Sequence, residues 1–126
     1  MKISELPPGR LLSVDPDTTI AEVARRMRTE DTDSVAVMSQ GRLVGIVTER
    51  DMVRAIADGV DSQQATASVV MTADPATVDA DEDAAVVAVK MMRLGVRHLP
   101  VVNKSGKPIG LVSARNLVAV LDQGAG

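Results

Sequence analysis

The chain has 126 residues, a net charge of −3 and 45% apolar residues, with no Cys, Phe, Tyr or Trp. The missing cysteines exclude disulfide, thiolate and zinc-thiolate chemistry, and the lack of a basic run or a stacking aromatic argues against a nucleic-acid partner. No stretch approaches the ~20 apolar residues of a membrane helix, and the start lacks the apolar run of a signal peptide, so the sequence reads as soluble and cytoplasmic.

In chain order, Leu11–Val14 reads as a short strand, with Pro7, Pro8 and Pro16 blocking helix on either side. Thr19 and Glu22 form a capping-box pattern. They open a helix with Ile20, Val23, Ala24 and Met27 on one face. Val35–Met38 and Leu43–Val47 are strands joined through the turn Ser39-Gln40-Gly41, hence antiparallel. A helix follows from Glu49 to about Asp58, with Met52, Val53 and Ile56 apolar, and Gly59 stops it. The polar stretch Asp61–Ser68 is a linker.

The same series then recurs. Thr77-Val78-Asp79 repeats Ser13-Val14-Asp15. Val87, Ala88 and Met91 repeat Val23, Ala24 and Met27, and Gly110, Ser113 and Arg115 repeat Gly45, Thr48 and Arg50. An extra residue enters at the turn Asn103–Gly106. In the second copy Asp83 takes the capping place of Thr19. A helix runs to Arg93, Leu99–Val102 and Ile109–Val112 are strands, and a last helix ends near Asp122. Pro108 belongs at a strand start or edge, and Gly124-Ala125-Gly126 reads as a frayed tail. The expected fold is α+β: two βαββα repeats, residues 1–63 and 64–126, packed about a pseudo-twofold axis with a cleft between them. Small aliphatics and methionines bury less area than aromatics, so a chain this short gains from pairing with a second copy, and a homodimer is expected.

The stretch most loaded with chemistry is Gly45-Ile46-Val47-Thr48-Glu49-Arg50-Asp51, a strand end running into a helix start. Thr48 is placed as the helix N-cap, where free amides and the helix dipole favour anions. Asp51 lies one turn on, and a carboxylate there accepts two hydrogen bonds from a vicinal diol such as ribose. Gly45 leaves room for a ring or backbone to approach. Hydroxyl and amides for phosphate, carboxylate for sugar and aliphatic walls for a base describe a nucleotide site. The alternative is that Thr48 and Asp51 only cap the helix. His98 is the single histidine, without partners at metal-ligand spacing. The acidic stretch Asp79, Asp81, Glu82, Asp83 reads as a solvated turn before a helix rather than a cation site.

The chain resembles a tandem pair of cystathionine-β-synthase (CBS) domains, a Bateman module. The resemblance is carried by Gly45–Asp51, by Gly110-Leu111-Val112-Ser113-Ala114-Arg115-Asn116, by Arg97-His98-Leu99-Pro100-Val101-Val102 and by Val69-Val70-Met71-Thr72. It implies binding of AMP, ADP, ATP or a related adenosyl ligand in the cleft between repeats, and usually a homodimer. Position by position it implies one full site: Ile46, Thr48, Arg50 and Asp51 with Thr72, Pro75, Arg97 and His98. The implied second site is weaker. Asn116 replaces the aspartate beside Ser113, Asp33 and Ser34 stand where Arg97 and His98 stand in the other copy, and Leu6–Arg10 lacks the usual methionine.

The leading expectation is therefore a regulatory ligand sensor without catalytic cofactor or metal, signalling in trans to an effector protein that the sequence does not identify. The alternative is a dimerisation or interaction module with an empty or vestigial cleft. No nucleophile–base pair or carboxylate dyad is placed together, which argues against an enzyme.

Overall fold

The computed structural model describes residues 1–6 and 11–125, with side chains to residue 119. It divides into two compact units. The central unit is Leu12–Pro75 and the terminal unit is Met1–Leu11 together with Ala76–Gly126.

The central unit holds β1 (Ser13–Val14), α1 (Ile20–Thr29), β2 (Ser34–Ser39), β3 (Arg42–Thr48), α2 (Glu49–Ala57), α3 (Ala67–Val70) and β4 (Thr72–Ala73). The sheet order is β1-β2-β3-β4, with β1 parallel to β2 and the other pairs antiparallel. Gln40 and Gly41 both take positive φ, 52° and 77°. That is the paired left-handed geometry that lets a two-residue hairpin follow the twist of its strands. Val14, Val23, Met27, Val35, Val37, Val47 and Ala67 form the core on one face of the sheet, each buried aliphatic contributing about 1.5–3 kcal/mol.

The terminal unit holds β5 (Val78–Asp79), α4 (Ala84–Leu94), β6 (His98–Val102), β7 (Pro108–Ser113) and α5 (Ala114–Ala125). Its sheet order is β5-β6-β7. Ile3, Val78, Val87, Met91, Leu99, Val112 and Leu117 build its core. Pro108 begins β7, where its missing N–H costs no ladder bond. In the β6–β7 turn Asn103 Oδ1 accepts from Ser105 N–H, Ser105 O–H and Lys107 N–H, and Gly106 takes φ 81°. This is where the second copy absorbs its extra residue.

The compact units do not follow the sequence division at residues 63 and 64. Each helix that opens a repeat is capped by the segment that leads the other repeat. In the central unit Ile20 N–H donates to Ala65 O, Ala67 N–H to Thr18 O and Ser68 N–H to Pro16 O. In the terminal unit the matching bonds run from Ala84 to Met1, from Ile3 to Glu82 and from Ser4 to Ala80. Met1 adds its ammonium to Asp83 Oδ1 at 3.0 Å. That contact, reinforced by the Ala85 amide, holds the Asp83 carboxyl below its ordinary value.

Several sequence expectations change. Ala24 is exposed, so the buried face of α1 is Ile20, Val23 and Met27. Thr19 accepts from Glu22 N–H, but the Glu22 carboxylate turns to Arg25 instead of closing a capping box. Val53 and Ile56 are 66% and 74% exposed and α2 buries Ala55 instead, so two of its three apolar residues are not core. The last two residues of the linker begin α3, β4 follows just beyond it, and the backbone of α5 is helical through Ala125 instead of fraying from Gly124. Pro7, Pro8, Gly9 and Arg10 lie outside the described residues.

Candidate functional site

The strand register assembles the first junction inside the central unit. Ser34 faces Thr48, Ala36 faces Ile46, and Thr72 faces Ile46 from the other side. Strand alternation therefore sets Ser34, Ala36, Ile46, Thr48 and Thr72 on one face. Ala36 and Ile46 are buried although neither belongs to the unit's core cluster. The face is thus apolar in the middle, with hydroxyls at its helix end and along β4. Thr72 is delivered there by β4, an element that the sequence reading missed. Its one signal was the glycine at position 45, opposite Ala73. Pro75 follows Asp74, whose backbone is left-handed at φ 47° and whose N–H donates to Val44 O.

At the helix end Thr48 is extended, φ −118° and ψ 169°, and caps α2. Asp51 Oδ2 accepts from Thr48 N–H at 2.8 Å and from Thr48 O–H at 3.0 Å, while Asp51 N–H donates to Thr48 Oγ1 at 3.4 Å. The capping reading is therefore realised. It consumes only one carboxylate oxygen, because two-oxygen chemistry lets Asp51 cap with Oδ2 and keep Oδ1 as an acceptor. Arg50 is exposed on the first turn of α2.

The second junction repeats this geometry in the terminal unit. Asn116 Oδ1 accepts from Ser113 O–H at 2.6 Å and Ser113 N–H at 3.4 Å, and Asn116 N–H donates to Ser113 Oγ at 3.1 Å. His98 pairs with Ser113, and Arg97 O accepts from Ala114 N–H at 2.8 Å. Arg97 is exposed and His98 half-buried.

The register thus brings together Thr48, Asp51, Ile46, Thr72 and Ser34 in one unit, and Ser113, Asn116, Arg97 and His98 in the other. Ser34 was grouped with Ser113, and Arg97 and His98 with Thr48, on resemblance alone. Within its own unit Ser34 faces Thr48, and His98 faces Ser113. No three His, Asp or Glu among the described residues are placed to hold a metal ion. No described helix is long and apolar enough to cross a membrane.

Comparison with known proteins agrees with this doubled arrangement. The CBS domain family model matches residues 3–58 and 67–123. An uncharacterised 17.7 kDa protein of Acidianus ambivalens is 37% identical over 122 residues, covering 95% of this chain and 73% of that protein. A CBS domain protein from Pyrobaculum aerophilum, solved in complex with AMP, superposes with a TM-score of 0.88 at 30% identity over all of both chains. A putative signal-transduction protein with CBS domains from Burkholderia ambifaria gives 0.88 at 28% identity, covering 94% of this chain and 90% of that one. With two matched copies of one α+β motif filling most of its length, the chain belongs to the CBS domain family.

Proposed function

We propose that this chain is a non-catalytic regulatory module that binds an adenine nucleotide or related adenosyl ligand and passes the bound state to an effector protein in trans. The observation that carries the reading is the Thr48–Asp51 junction: a helix start that keeps one carboxylate oxygen as an acceptor, beside the apolar face of Ala36 and Ile46. Its support from outside the chain is the AMP complex of the Pyrobaculum aerophilum relative. Asp51 Oδ1 would accept from the ribose hydroxyls, Thr48 and the first amides of α2 would meet the 5′ group, and Ile46, Thr72 and Pro75 would flank the base. Arg50 would stand at the rim. Ser34 would stand beside Thr48, and Ser113 and Asn116, with Arg97 and His98 next to them in sequence and register, would make a second, weaker site in the terminal unit.

A thermal-shift panel of AMP, ADP, ATP, NAD and S-adenosylmethionine tests the reading. A ligand at a hundred times its Kd stabilises the fold by about 2.7 kcal/mol. No shift with any of the five would refute it.

The second reading, a dimerisation module, draws on a different observation. Val53 and Ile56 on α2 and Val118 on α5 are 66%, 74% and 65% exposed. We propose that a second copy of the chain covers them, so that the sensor is a homodimer.

A further inference from the structure

Met71 Sδ lies directly over Gly45, in the space that a Cβ would need. Met71 is the C-cap of α3, and β4 begins at the next residue. β4 is held to β3 through two register pairs, Gly45 with Ala73 and Ile46 with Thr72, and through Asp74 N–H, which donates to Val44 O at 3.2 Å. One thioether thus packs down the short strand that carries Thr72.

The chain has seven methionines and no cysteine, so thioethers are its only sulfur. Met27 and Met91 are sealed in the two cores, 6% and 3% exposed. Met38, Met52 and Met71 are half-buried. Met38 and Met52 sit inside the six-residue β2 and the nine-residue α2, whereas Met71 sits beside a strand of two residues. The second copy keeps the glycine as Gly110 but has no methionine in its leading segment, Leu6–Arg10.

Hydrogen peroxide converts a thioether to a sulfoxide. The O–O bond breaks, one oxygen bonds to sulfur, sulfur gives up two electrons, and the other oxygen leaves as water with both protons. A flexible apolar side chain becomes polar and larger. Over Gly45 the added bulk presses on backbone. Met71 shares its edge of the central core with Val44, Met52 and Val70, whose side chains offer the new oxygen no donor. The amides of Met71 and Asp74 are already given to Ala67 O and Val44 O. An unpartnered polar atom there is costly, and the element held by the fewest bonds yields first.

We propose that Met71 is a peroxide-sensitive modification site, whose sulfoxide releases β4 from β3 and withdraws Thr72 from the candidate site. The release needs no ligand. Only its effect on binding rests on the adenosyl reading above.

The test treats the full chain with graded hydrogen peroxide, locates the added oxygen by peptide mass spectrometry, and follows exchange of the Asp74 amide by NMR. Exchange should rise at least about fivefold as Met71 is oxidised, the smallest effect expected of an unpartnered buried polar atom. Methionine sulfoxide reductase with a dithiol should restore protection. Met71→Leu, close in volume and free of sulfur, should keep its protection in peroxide. Met92→Leu, which removes a methionine that is 81% exposed, should respond as the unaltered chain does. Met71→Gln should exchange fast without peroxide. Full oxidation of Met71 with Asp74 still protected, or equal loss of protection in treated Met71→Leu, overturns the proposal. So does a Met71 that stays reduced when Met92 is fully oxidised. Should Met71→Leu not fold, the relation between oxygen at Met71 and Asp74 exchange in the unaltered chain decides alone. Calorimetry with AMP is a separate arm, in which oxidation should weaken binding at least about fivefold. No AMP binding to the unaltered chain counts against the adenosyl reading, while the release of β4 stands or falls on Asp74.

Discussion

The side chain of Met71 lies directly on Gly45. A Cβ built on Gly45 would collide with Met71 Sδ and stand 2.8 Å from its Cγ and 3.1 Å from its Cβ. Gly45 pairs with Ala73 and Ile46 with Thr72, so this contact sits where β4 meets β3 and carries Thr72 to the candidate site. The room that glycine leaves is filled by the protein itself.

Gly45→Ala should therefore destabilise the fold by about 1–3 kcal/mol through overpacking. Shortening the neighbour should relieve it: in a double-mutant cycle with Met71→Ala, measured by urea denaturation, the double variant should lose less than the sum of the singles. Additive losses would show that the two residues do not press on each other.

Asp51 has two separable duties. Asp51→Ala removes the acceptor for Thr48 N–H and O–H and should cost about 1 kcal/mol of stability. Asp51→Asn should keep most of that stability, because Asn116 caps α5 in the same way. Both variants should weaken adenosine binding in calorimetry. An Asp51→Asn variant that binds adenosine undiminished would take Oδ1 out of the site.

Ile3 is 5% exposed and belongs to the terminal-unit core, although it opens the first sequence repeat. Ile3→Ala should cost about 2–4 kcal/mol, as for other core truncations, which a thermal melt reads directly. A fragment of residues 1–63 lacks Ala65 and Ala67, whose backbone bonds hold the start of α1. It should show no cooperative melt by circular dichroism.

Asp83 gives the acid limb of stability its sign. Its carboxyl is held below the ordinary value of 3.8, first by the hydrogen bond from the Met1 ammonium and then by the Ala85 amide. A carboxyl depressed on folding contributes stability that is present above its unfolded value and lost as pH falls through the folded one. Asp83→Asn should remove that part of the pH dependence below about pH 4 and leave the neutral-pH slope unchanged. Acid titration of both proteins, followed by circular dichroism, checks this. Because the carboxylate is exposed, the effect should be small.

Val53 and Ile56 offer the test of assembly. Val53→Lys and Ile56→Lys place charge on a surface already in solvent in the single chain, so they should leave its fold intact. If a second copy covers that surface, light scattering should show the mass falling from dimer to monomer. Unchanged mass would direct the dimer reading elsewhere.

What the amino-acid order determined was local and repetitive: the duplication, the strand–helix order, the antiparallel hairpins, the capping residues Thr19, Thr48 and Asp83, and the family. These follow from spacing and turn chemistry, which act over a few residues and leave a periodic trace. What only the tertiary structure decided was which segment completes which unit. Ile3 and Ala67 each join the core that starts in the other repeat, because backbone pairing between distant segments has no signature in composition. Val53 and Ile56 kept helical spacing and still ended in solvent, since periodicity marks an apolar face without saying what covers it. The choice at Asp51 was tertiary too. One motif permits both a cap and a ligand contact, and only the placed atoms show that Oδ2 makes the cap.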